Sequence, residues 1–465
     1  MSVLEERYAS TEMKEIWSKE FKIKLEREFW IVVLKAQASA GLKIPLKAIS
    51  DYERVLNNID LKSISDREEV LHHDVKARIE EFNYLAGHEL IHLGMTSRDL
   101  TENVEIFQIR NSLILTAKKT ASLLSVISQF SVKYSQLPLV ARTHNIPAQV
   151  TTLGRRFSTW GEELLFALEH LEELIERLPF RGLKGAVGTL SDLEELLPGK
   201  SVDIETEVNS IFNFNRVLAS PSQIYPRSID LEVVSTLNQI AAIPSNIAIN
   251  IRLMSGNNLV SEVFEENQTG SSAMPHKVNP RLSERINSLS ATLKGFLVMI
   301  NEISGNQWNE ADVSCSAVRR VAISDSFFAI DGILDTVIHI LLTLKVNEGP
   351  IKNEIDLNLP SLLSSTLLMR AVNKGISREF AHKKIKEHSI RGNEDYLNGL
   401  GNSFLKRLLA DNELNFDSSE INALVSSPIK LVGLAIKQVK DFEAKANLKL
   451  KIYPDAKTYK PPKII

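Results

Sequence analysis

Apolar residues recur every three or four positions over long stretches of this 465-residue chain. From Val104 to Leu137 this spacing continues without an internal glycine or proline. Because it places the apolar side chains along one face of a helix, the pattern predicts a single long helix there. The same spacing predicts further long helices at four places: Gln149 to Leu178, Ile229 to Leu253, Arg281 to Ile303 and Ser316 to Leu344.

The two ends of the chain show shorter helical patterns. The first hundred residues have polar breaks at 41–45 and 57–60. After Asn347 we expect interruptions at Gly349, Pro350, Pro360, Gly375, Gly392 and Gly399. Long helices joined by polar loops are typical of a bundle. We therefore expect an all-α protein with an N-terminal helical domain (1–103), a central long-helix bundle (104–355) and a C-terminal helical domain (356–465).

Composition and charge narrow the choice of partners and compartment. Hydrophobic residues make up 43% of the chain, with only 20 glycines and 16 prolines, which favours long helices over the many turns of an all-β protein. The net charge of −3 gives no reason to expect nucleic acid or a membrane as partner. Cys315 is the single cysteine, and neither a secretory signal nor a run of about 18 apolar residues is recognisable. We expect a cytoplasmic protein.

The segment 265–280, EENQTGSSAMPHKVNP, is the least ordinary in the chain. It carries serine, histidine, lysine and asparagine side chains within ten residues, between two predicted helices. Such a density of hydrogen-bond donors and titratable groups is unusual for a connector. Glycine and serine are also normal turn residues, so these residue types alone are compatible with either a functional loop or a surface turn.

The stretch GSSAMPHKVNP, residues 270–280, resembles the G-S-S-x-M-P-x-K-x-N-P signature of the fumarase/aspartase superfamily at every fixed position. The resemblance implies a lyase in which this loop closes over the substrate. It implies that Ser271 takes a proton from the carbon beside a substrate carboxylate, which Lys277 and Asn279 hold. An ammonium and preorganised donors would stabilise the charge that develops. Nothing adjacent supplies a base to activate the serine, so its role rests on the resemblance.

A second segment, ARTHNIPAQVTT at 141–152, is similar to the R-T-H-x-x-x-A-x-x-T-T segment of the same superfamily. The resemblance implies that His144 protonates the leaving nitrogen, a task that suits a side chain with a pKa near neutrality. It also implies that Glu284 pairs with His144, although a charge on a helix surface is the alternative. Ser271, His144, Lys277 and Glu284 are thus the candidate catalytic residues.

Further matches lie upstream. The segment LGMTSRDLTEN at 93–103 implies that Thr96 and Ser97 bind a substrate carboxylate; the same residues also suit a helix N-cap, and both roles are compatible. Similar matches add four candidate substrate-binding residues: His72, His73, Asp74 and His92. Their spacing fits no metal motif such as HExxH, so we expect no metal and no cofactor.

The MPHK tetrapeptide and other matches favour the adenylosuccinate lyase branch, although carboxymuconate cycloisomerases share MPHK. The branch binds a nucleotide phosphate and two carboxylates, which require several cations and N–H donors. The matches imply six more substrate-binding residues: Arg7, Tyr8, Gln223, Arg285, Ser316 and Arg320. Ala311 stands where the branch usually has arginine. This departure leaves open weaker binding, compensation by Arg319 or another residue, or a different substrate.

The resemblance implies β-elimination of fumarate from adenylosuccinate, giving AMP, and from SAICAR, giving AICAR. Elimination from a different succinylated amine is the alternative. It further implies a homo-oligomer, a tetramer, whose sites are each shared between three chains and take a small-molecule nucleotide. A third possibility is a catalytically silent structural protein on the same scaffold, against which the joint presence of all four candidate catalytic residues argues.

Overall fold

A computed structural model describes residues 2–263, 274 and 277–463. Ser271 and His276 therefore lie outside the described residues. Over the described part the chain is mostly α-helical, and its strands form two small antiparallel pairs. The all-α prediction is confirmed. The three-domain division stays a prediction.

Six helices make up the N-terminal region of the described chain, and the gaps at 40–45 and 55–60 coincide with the predicted polar breaks. They are α1 (Val3–Tyr8), α2 (Thr11–Ile16), α3 (Lys19–Ser39), α4 (Leu46–Arg54), α5 (Leu61–Leu71) and α6 (Asp74–Ala86). Ser2, Ser10 and Ser18 cap the first three, each accepting a hydrogen bond from a backbone N–H of the first turn. The longest, α3, packs its apolar face against the central bundle.

Long helices at the predicted places, with two shorter helices among them, form the central region of the described chain. They are α7 (Ser97–Lys133), α8 (Leu153–Arg177), α9 (Ser191–Leu196), α10 (Ser201–Phe212), α11 (Ser228–Gly256), α12 (Arg281–Ile303) and α13 (Ser316–Thr343). Helix α7 packs against α8 and α13, and α12 packs against both α11 and α13. The bounds of α12 coincide with the prediction. By length and mean hydropathy (1.6) α13 could cross a membrane, but 83% of the qualifying window is buried inside the fold, as in a core helix.

The predicted helix from Gln149 was wrong over its first residues. The segment Ile146–Thr152 is a strand, β2, which pairs antiparallel with β1 (Pro138–Thr143). Valine and threonine occupy its end, and β-branched side chains fit a strand better than a helix. The helix α8 begins only after Thr152, whose side chain accepts a hydrogen bond from the backbone N–H of Arg155 at 3.1 Å.

The C-terminal region consists of shorter helices, as expected. They are α14 (Glu348–Leu362), α15 (Ser364–Asn373), α16 (Arg378–Leu397), α17 (Phe404–Leu409), α18 (Ser418–Val425) and α19 (Ala435–Lys449). Strand β3 (Val260–Ser261) pairs with β4 (Lys345–Val346) just before α14. The last helix, α19, returns to the bundle and packs against α7 and α8, where Lys449 pairs with Glu172 at 2.7 Å.

Several predicted interruptions of this region were wrong. Breaks do occur beside Gly375 and Gly399, but Gly349, Pro350, Pro360 and Gly392 all lie inside helices. Pro350 sits in the first turn of α14, where its missing N–H has no partner within the helix to lose. Gly392 lies in α16 against the start of α17, where an added Cβ would come within 2.5 Å of the Phe404 nitrogen. That glycine therefore allows two helices to approach closely rather than ending one.

Candidate active site

A cleft of about 830 Å³ opens where the N-terminal helices meet the first turns of α7 and α13. Its walls come from α3, α5, α6, α7, α13 and the segment before α11. Six of the residues predicted to bind substrate line it: His73, Asp74, Ser97, Gln223, Ser316 and Arg320. Residues separated by more than two hundred positions in sequence thus meet in one place.

The start of α6 forms one wall of the cleft. His73 caps this helix, its Nδ1 accepting from the Lys76 N–H at 3.3 Å. Asp74 accepts from the Val75 N–H at 2.8 Å and from Arg78 at 3.3 Å. Burial raises the pKa of Asp74, but the Arg78 charge and the Val75 N–H lower it by more, so the net shift is downward. Asp74 is therefore an anion at neutral pH. His72, which ends α5 with φ of 51°, does not line the cleft.

The start of α7 forms a second wall, and a buried carboxylate fixes it. Asp99 accepts from the Thr96 N–H at 2.8 Å. Its other oxygen accepts from the backbone N–H groups of Lys184 at 2.8 Å and Gly185 at 3.0 Å. Asp99 thus ties the first turn of α7 to the turn at 181–185 and holds Ser97 at the cleft. The capping role and the anion-binding role predicted for this segment are compatible, because a helix N-terminus itself favours anions.

The start of α13 forms the third wall. Ser316 and Arg320 are four residues apart, so they lie on one face of the helix, and both line the cleft. Arg319 also touches the cleft but is only 7% exposed. Its guanidinium donates to Asp230 and to Glu105, both at 2.8 Å. Because these internal carboxylates hold Arg319, it is not free to replace a missing arginine elsewhere.

A cluster of buried ion pairs lies beneath the cleft, and sequence reasoning missed it. Glu102 accepts two hydrogen bonds from Arg227, both at 2.9 Å. Burial raises the pKa of Glu105, but the charges of Arg319 and Lys22 lower it by more, and the net shift is downward. The available signal was a carboxylate at every third position of the helix start, at 99, 102 and 105. Such spacing places all three on one face.

The segment that contains Ala311 borders the cleft. Gln307 donates to the Ser222 hydroxyl at 2.9 Å, and the Gln223 N–H donates to the Glu310 carbonyl at 3.2 Å. These bonds hold the segment against cleft-lining Gln223. At this rim Ala311 contributes only a methyl group.

Arg7, Tyr8 and Arg285 lie at a different place, where α1 meets α12 and α13. The guanidinium carbon of Arg285 lies 5.5 Å from the centroid of the Tyr8 ring. Burial lowers the pKa of Arg285. Tyr8 rests on Gly332 of α13, where an added Cβ would come within 2.8 Å of the Tyr8 Cβ. Arg7 is exposed. These three residues do not line the cleft of the same chain.

The candidate catalytic residues do not converge within one chain. His144 is exposed at the tip of the β1–β2 hairpin, Glu284 is exposed in the first turn of α12, and Lys277 is exposed. Over the described part of the chain, no hydrogen bond joins His144 to Glu284. Asn279 is half-buried just before α12. Ser271 lies outside the described residues.

The start of α12 is held by a carboxylate that sequence reasoning also missed. Glu262, only 6% exposed, accepts from the N–H groups of Leu282 at 3.0 Å and Ser283 at 2.9 Å. It also accepts from the Ser283 hydroxyl at 2.6 Å. A carboxylate at a helix N-terminus satisfies free N–H groups and suits the helix dipole. Glu262 therefore fixes the turn that presents Glu284 and Arg285.

His92 lies away from the cleft lining. Its Nδ1 accepts from the indole N–H of Trp30 at 3.0 Å. Burial lowers the pKa of His92 to about 4, so the ring is neutral at physiological pH. Within residues 2–263, 274 and 277–463, no group of three or more histidine, cysteine, aspartate or glutamate residues is arranged to hold a metal ion.

Comparison with protein families gives two matches that together span most of the chain. Residues 7–295 match the family described as lyase, and residues 360–442 match the one described as adenylosuccinate lyase C-terminus. The adenylosuccinate lyase of Schistosoma mansoni is 32% identical over 94% of this chain and 93% of its own length. The adenylosuccinate lyase of Saccharomyces cerevisiae is 31% identical over 95% of this chain and 93% of its own length. That of Archaeoglobus fulgidus is 28% identical over 93% of this chain and 96% of its own length.

Solved structures share the fold at lower identity. The 3-carboxy-cis,cis-muconate lactonizing enzyme of Pseudomonas putida superimposes with a TM-score of 0.83 at 20% identity, over 96% of this chain and 99% of that one. A fumarate lyase from Mesorhizobium sp. BNC1 gives 0.82 at 20% identity, over 94% and 98%. These likenesses extend over nearly the whole of each chain and establish the architecture.

Proposed function

The chain belongs to the lyase family, among the adenylosuccinate lyases, and on this premise we propose that it eliminates fumarate from adenylosuccinate and from SAICAR, leaving AMP and AICAR. The observation that carries the proposal is the cleft, in which six predicted substrate-binding residues meet on a chain related to these enzymes over most of its length. Its arginine and lysine side chains suit a substrate with a phosphate and two carboxylates.

The proposed reaction balances as a β-elimination. Ser271 accepts a proton from the carbon beside a carboxylate, and the electron pair of that C–H bond forms the new double bond. The C–N bond breaks with its electron pair going to nitrogen, which His144 protonates. Lys277 and Asn279 stabilise the charge that develops on the carboxylate. Glu284 pairs with His144.

We propose that these residues meet between chains of a homotetramer. The separation of the exposed His144 and Glu284 from the cleft of their own chain supports this arrangement. Exposed apolar side chains on the central helices also support it, since exposed apolar clusters mark contact surfaces. They are Ile249 and Leu253 on α11, Val298 on α12, and Val321 and Leu342 on α13.

A second candidate substrate, a different succinylated amine, is favoured by the rim at Ala311. The cleft lacks a cationic side chain at this position, and the buried pairing of Arg319 prevents it from replacing one. This candidate keeps the same elimination and the same catalytic residues but changes the amine that leaves.

The test is to incubate the purified protein with adenylosuccinate, with SAICAR and with succinylated amines that lack a phosphate, and to follow fumarate release. We expect release from the two nucleotides that is lost in Ser271→Ala. Fumarate from a phosphate-free amine alone would favour the second candidate. Absence of fumarate from every substrate would refute the proposed elimination.

A further inference from the structure

The cleft carries more positive than negative side chains. Its lining includes six cations and three carboxylates: Lys19, Lys22, Arg78, Arg98, Arg319 and Arg320 against Glu68, Asp74 and Glu105. Such an excess in a partly enclosed cleft attracts a multiply charged anion. The cations differ in how firmly the protein itself holds them.

Three of these cations are already paired with carboxylates of the protein. Arg78 contacts the fully buried Glu26 at 2.6 Å as well as Asp74. Lys22 lies 3.6 Å from Glu105. Arg319 is held by Asp230 and Glu105, as described above. Removing Arg78 or Arg319 would leave a fully buried carboxylate, Glu26 or Asp230, without part of its compensation, which is costly.

Arg98 differs because its partner, Glu102, is held by other hydrogen-bond donors. Its guanidinium donates to Glu102 at 3.2 Å. Glu102 already accepts two hydrogen bonds from Arg227 and one from the Tyr225 N–H at 3.2 Å. Over the described residues the structure shows no other hydrogen bond from Arg98, so most of its five N–H groups are available to a ligand.

The position of Arg98 also points to a ligand. It lies in the first turn of α7, where the helix dipole disfavours a cation. The next residue back is Ser97, which lines the same cleft. The Arg98 side chain is 21% exposed, so it is sheltered from bulk water but reachable from the cleft. A bound carboxylate would relieve the unfavourable charge and use the free N–H groups.

We propose that Arg98, acting with Ser97, binds a carboxylate of the four-carbon dicarboxylate portion of the substrate. The assignment rests on the proposed function of the cleft. It makes Arg98 a specificity-determining residue, because its positive charge reaches the cleft from α7 whereas Ala311 carries no charge. A planar guanidinium can contact a carboxylate through two parallel hydrogen bonds.

The test is equilibrium binding of fumarate, alone and in the presence of AMP, to wild type and to Arg98→Gln. We expect fumarate to bind at least about tenfold more weakly to the variant, equivalent to about 1.4 kcal/mol. AMP should bind within about twofold of wild type, because its phosphate does not contact Arg98. Arg98→Lys keeps the charge but loses the planar guanidinium, so its affinity for fumarate should fall between those of wild type and Arg98→Gln.

Arg378→Gln serves as the control, because Arg378 also pairs with a glutamate, at 2.6 Å, but lies far out on the surface of α16. It should bind fumarate as wild type does. The thermal midpoint of Arg98→Gln should stay near the wild-type value, since Arg227 keeps Glu102 satisfied. The proposal would be overturned if Arg98→Gln bound fumarate as tightly as wild type does. It would also be overturned if the variant bound AMP and fumarate equally weakly, because the phosphate would then lie at Arg98.

These outcomes are separable from those of the proposed function. Fumarate binding needs no turnover, so it can be measured even if adenylosuccinate is not cleaved. A protein that binds fumarate through Arg98 but releases none from adenylosuccinate would refute the nucleotide substrate and keep the carboxylate site. If wild type and Arg98→Gln cleave adenylosuccinate equally well, the nucleotide substrate is supported and the carboxylate site at Arg98 is refuted.

Discussion

His144 occupies a backbone position that few side chains tolerate. It and Asn145 form the two-residue turn between β1 and β2, and both have positive φ, 51° and 63°. Two-residue hairpin turns favour this conformation, and asparagine adopts it more readily than most residues. Any test of His144 as the acid must therefore preserve the turn.

We expect His144→Asn to keep the hairpin while removing the titratable ring. Turnover should fall by roughly 10²–10⁴-fold, the usual contribution of a positioned acid. Asn145→Gly, which alters the same turn without removing the acid, is the matched control and should stay within about tenfold of wild type. Turnover of His144→Asn within that same limit would show that His144 is not the acid.

The buried ring of His92 should make the free energy of unfolding depend on pH. Its pKa is lowered by burial from 6.5 to about 4, so the unfolded chain binds the proton more readily than the folded one. The contribution to stability is therefore complete above pH 6.5 and is lost as pH falls towards 4. The loss should be on the order of 3 kcal/mol.

The test is the free energy of unfolding in urea across this range, for wild type and His92→Asn. The asparagine oxygen takes the place of Nδ1 as acceptor for Trp30 and tolerates the φ of 67° at this position. Wild type should lose stability relative to the variant as pH falls from 6.5 to 4. Parallel curves for the two proteins would mean that His92 titrates normally.

Individual roles were predictable only where a residue belonged to a recognisable motif. The signature segments led to Ser97, Gln223 and Arg320, which do meet at the cleft. Arg98 and Glu102 lie inside one of these segments, LGMTSRDLTEN, but at positions to which the resemblance gives no role. Their relevance comes from partners far away in sequence, such as Arg227, and periodicity cannot reveal pairings between separate helices.

At the scale of elements, the apolar pattern predicted the long helices but not their junctions. The hairpin before α8 was missed because Gln149 to Thr152 continues the apolar spacing of the following helix. Pro350 and Gly392 were taken for breaks because propensity describes exposed helices, and contacts with neighbouring elements outweigh it here. The close approach of α17 to Gly392 depends on packing that a single segment does not show.

One buried network joins both ends of the chain to the bundle. Lys119 of α7, only 2% exposed, bridges Asp331 at 2.6 Å and Asp335 at 2.8 Å on α13. The Ser10 N–H donates to Asp331 at 2.6 Å, and the Tyr459 hydroxyl donates to Asp335 at 2.5 Å. The network thus anchors the segment after Tyr8 and the C-terminal tail to the same two helices.

We expect Tyr459→Phe to lower the free energy of unfolding by about 1.5–3 kcal/mol, because a buried carboxylate loses a hydrogen bond. Tyr453→Phe is the matched control from the same tail. Its hydroxyl donates to Glu172 at 2.8 Å, but that side chain is 26% exposed, so water can replace the lost donor. Urea unfolding should show a smaller loss for Tyr453→Phe. Equal losses would contradict the buried role of Tyr459.

At the scale of the whole molecule, the candidate catalytic residues lie apart from one another, whereas six candidate substrate-binding residues meet in the cleft of one chain. The cleft brings residues of α6, α7 and α13 together, yet His144 and Glu284 are exposed on other surfaces. The sequence resemblance implied that each site is shared between chains, which accounts for candidate catalytic residues that lie apart within one chain. Hydrophobic periodicity could not predict shared sites, because it indicates which helix faces are apolar but not what packs against them.

We propose that this chain eliminates fumarate at a site that no single chain completes. The direct test is to mix two impaired variants, His144→Asn and Ser271→Ala, under conditions that exchange subunits. Some mixed assemblies would then contain sites with both residues intact. We expect fumarate release from adenylosuccinate to be reduced by at least about 10²-fold in His144→Asn alone and lost in Ser271→Ala alone, and to rise well above both levels in the mixture. A mixture that stays at those levels after confirmed subunit exchange, or a wild-type monomer that releases fumarate, would contradict it.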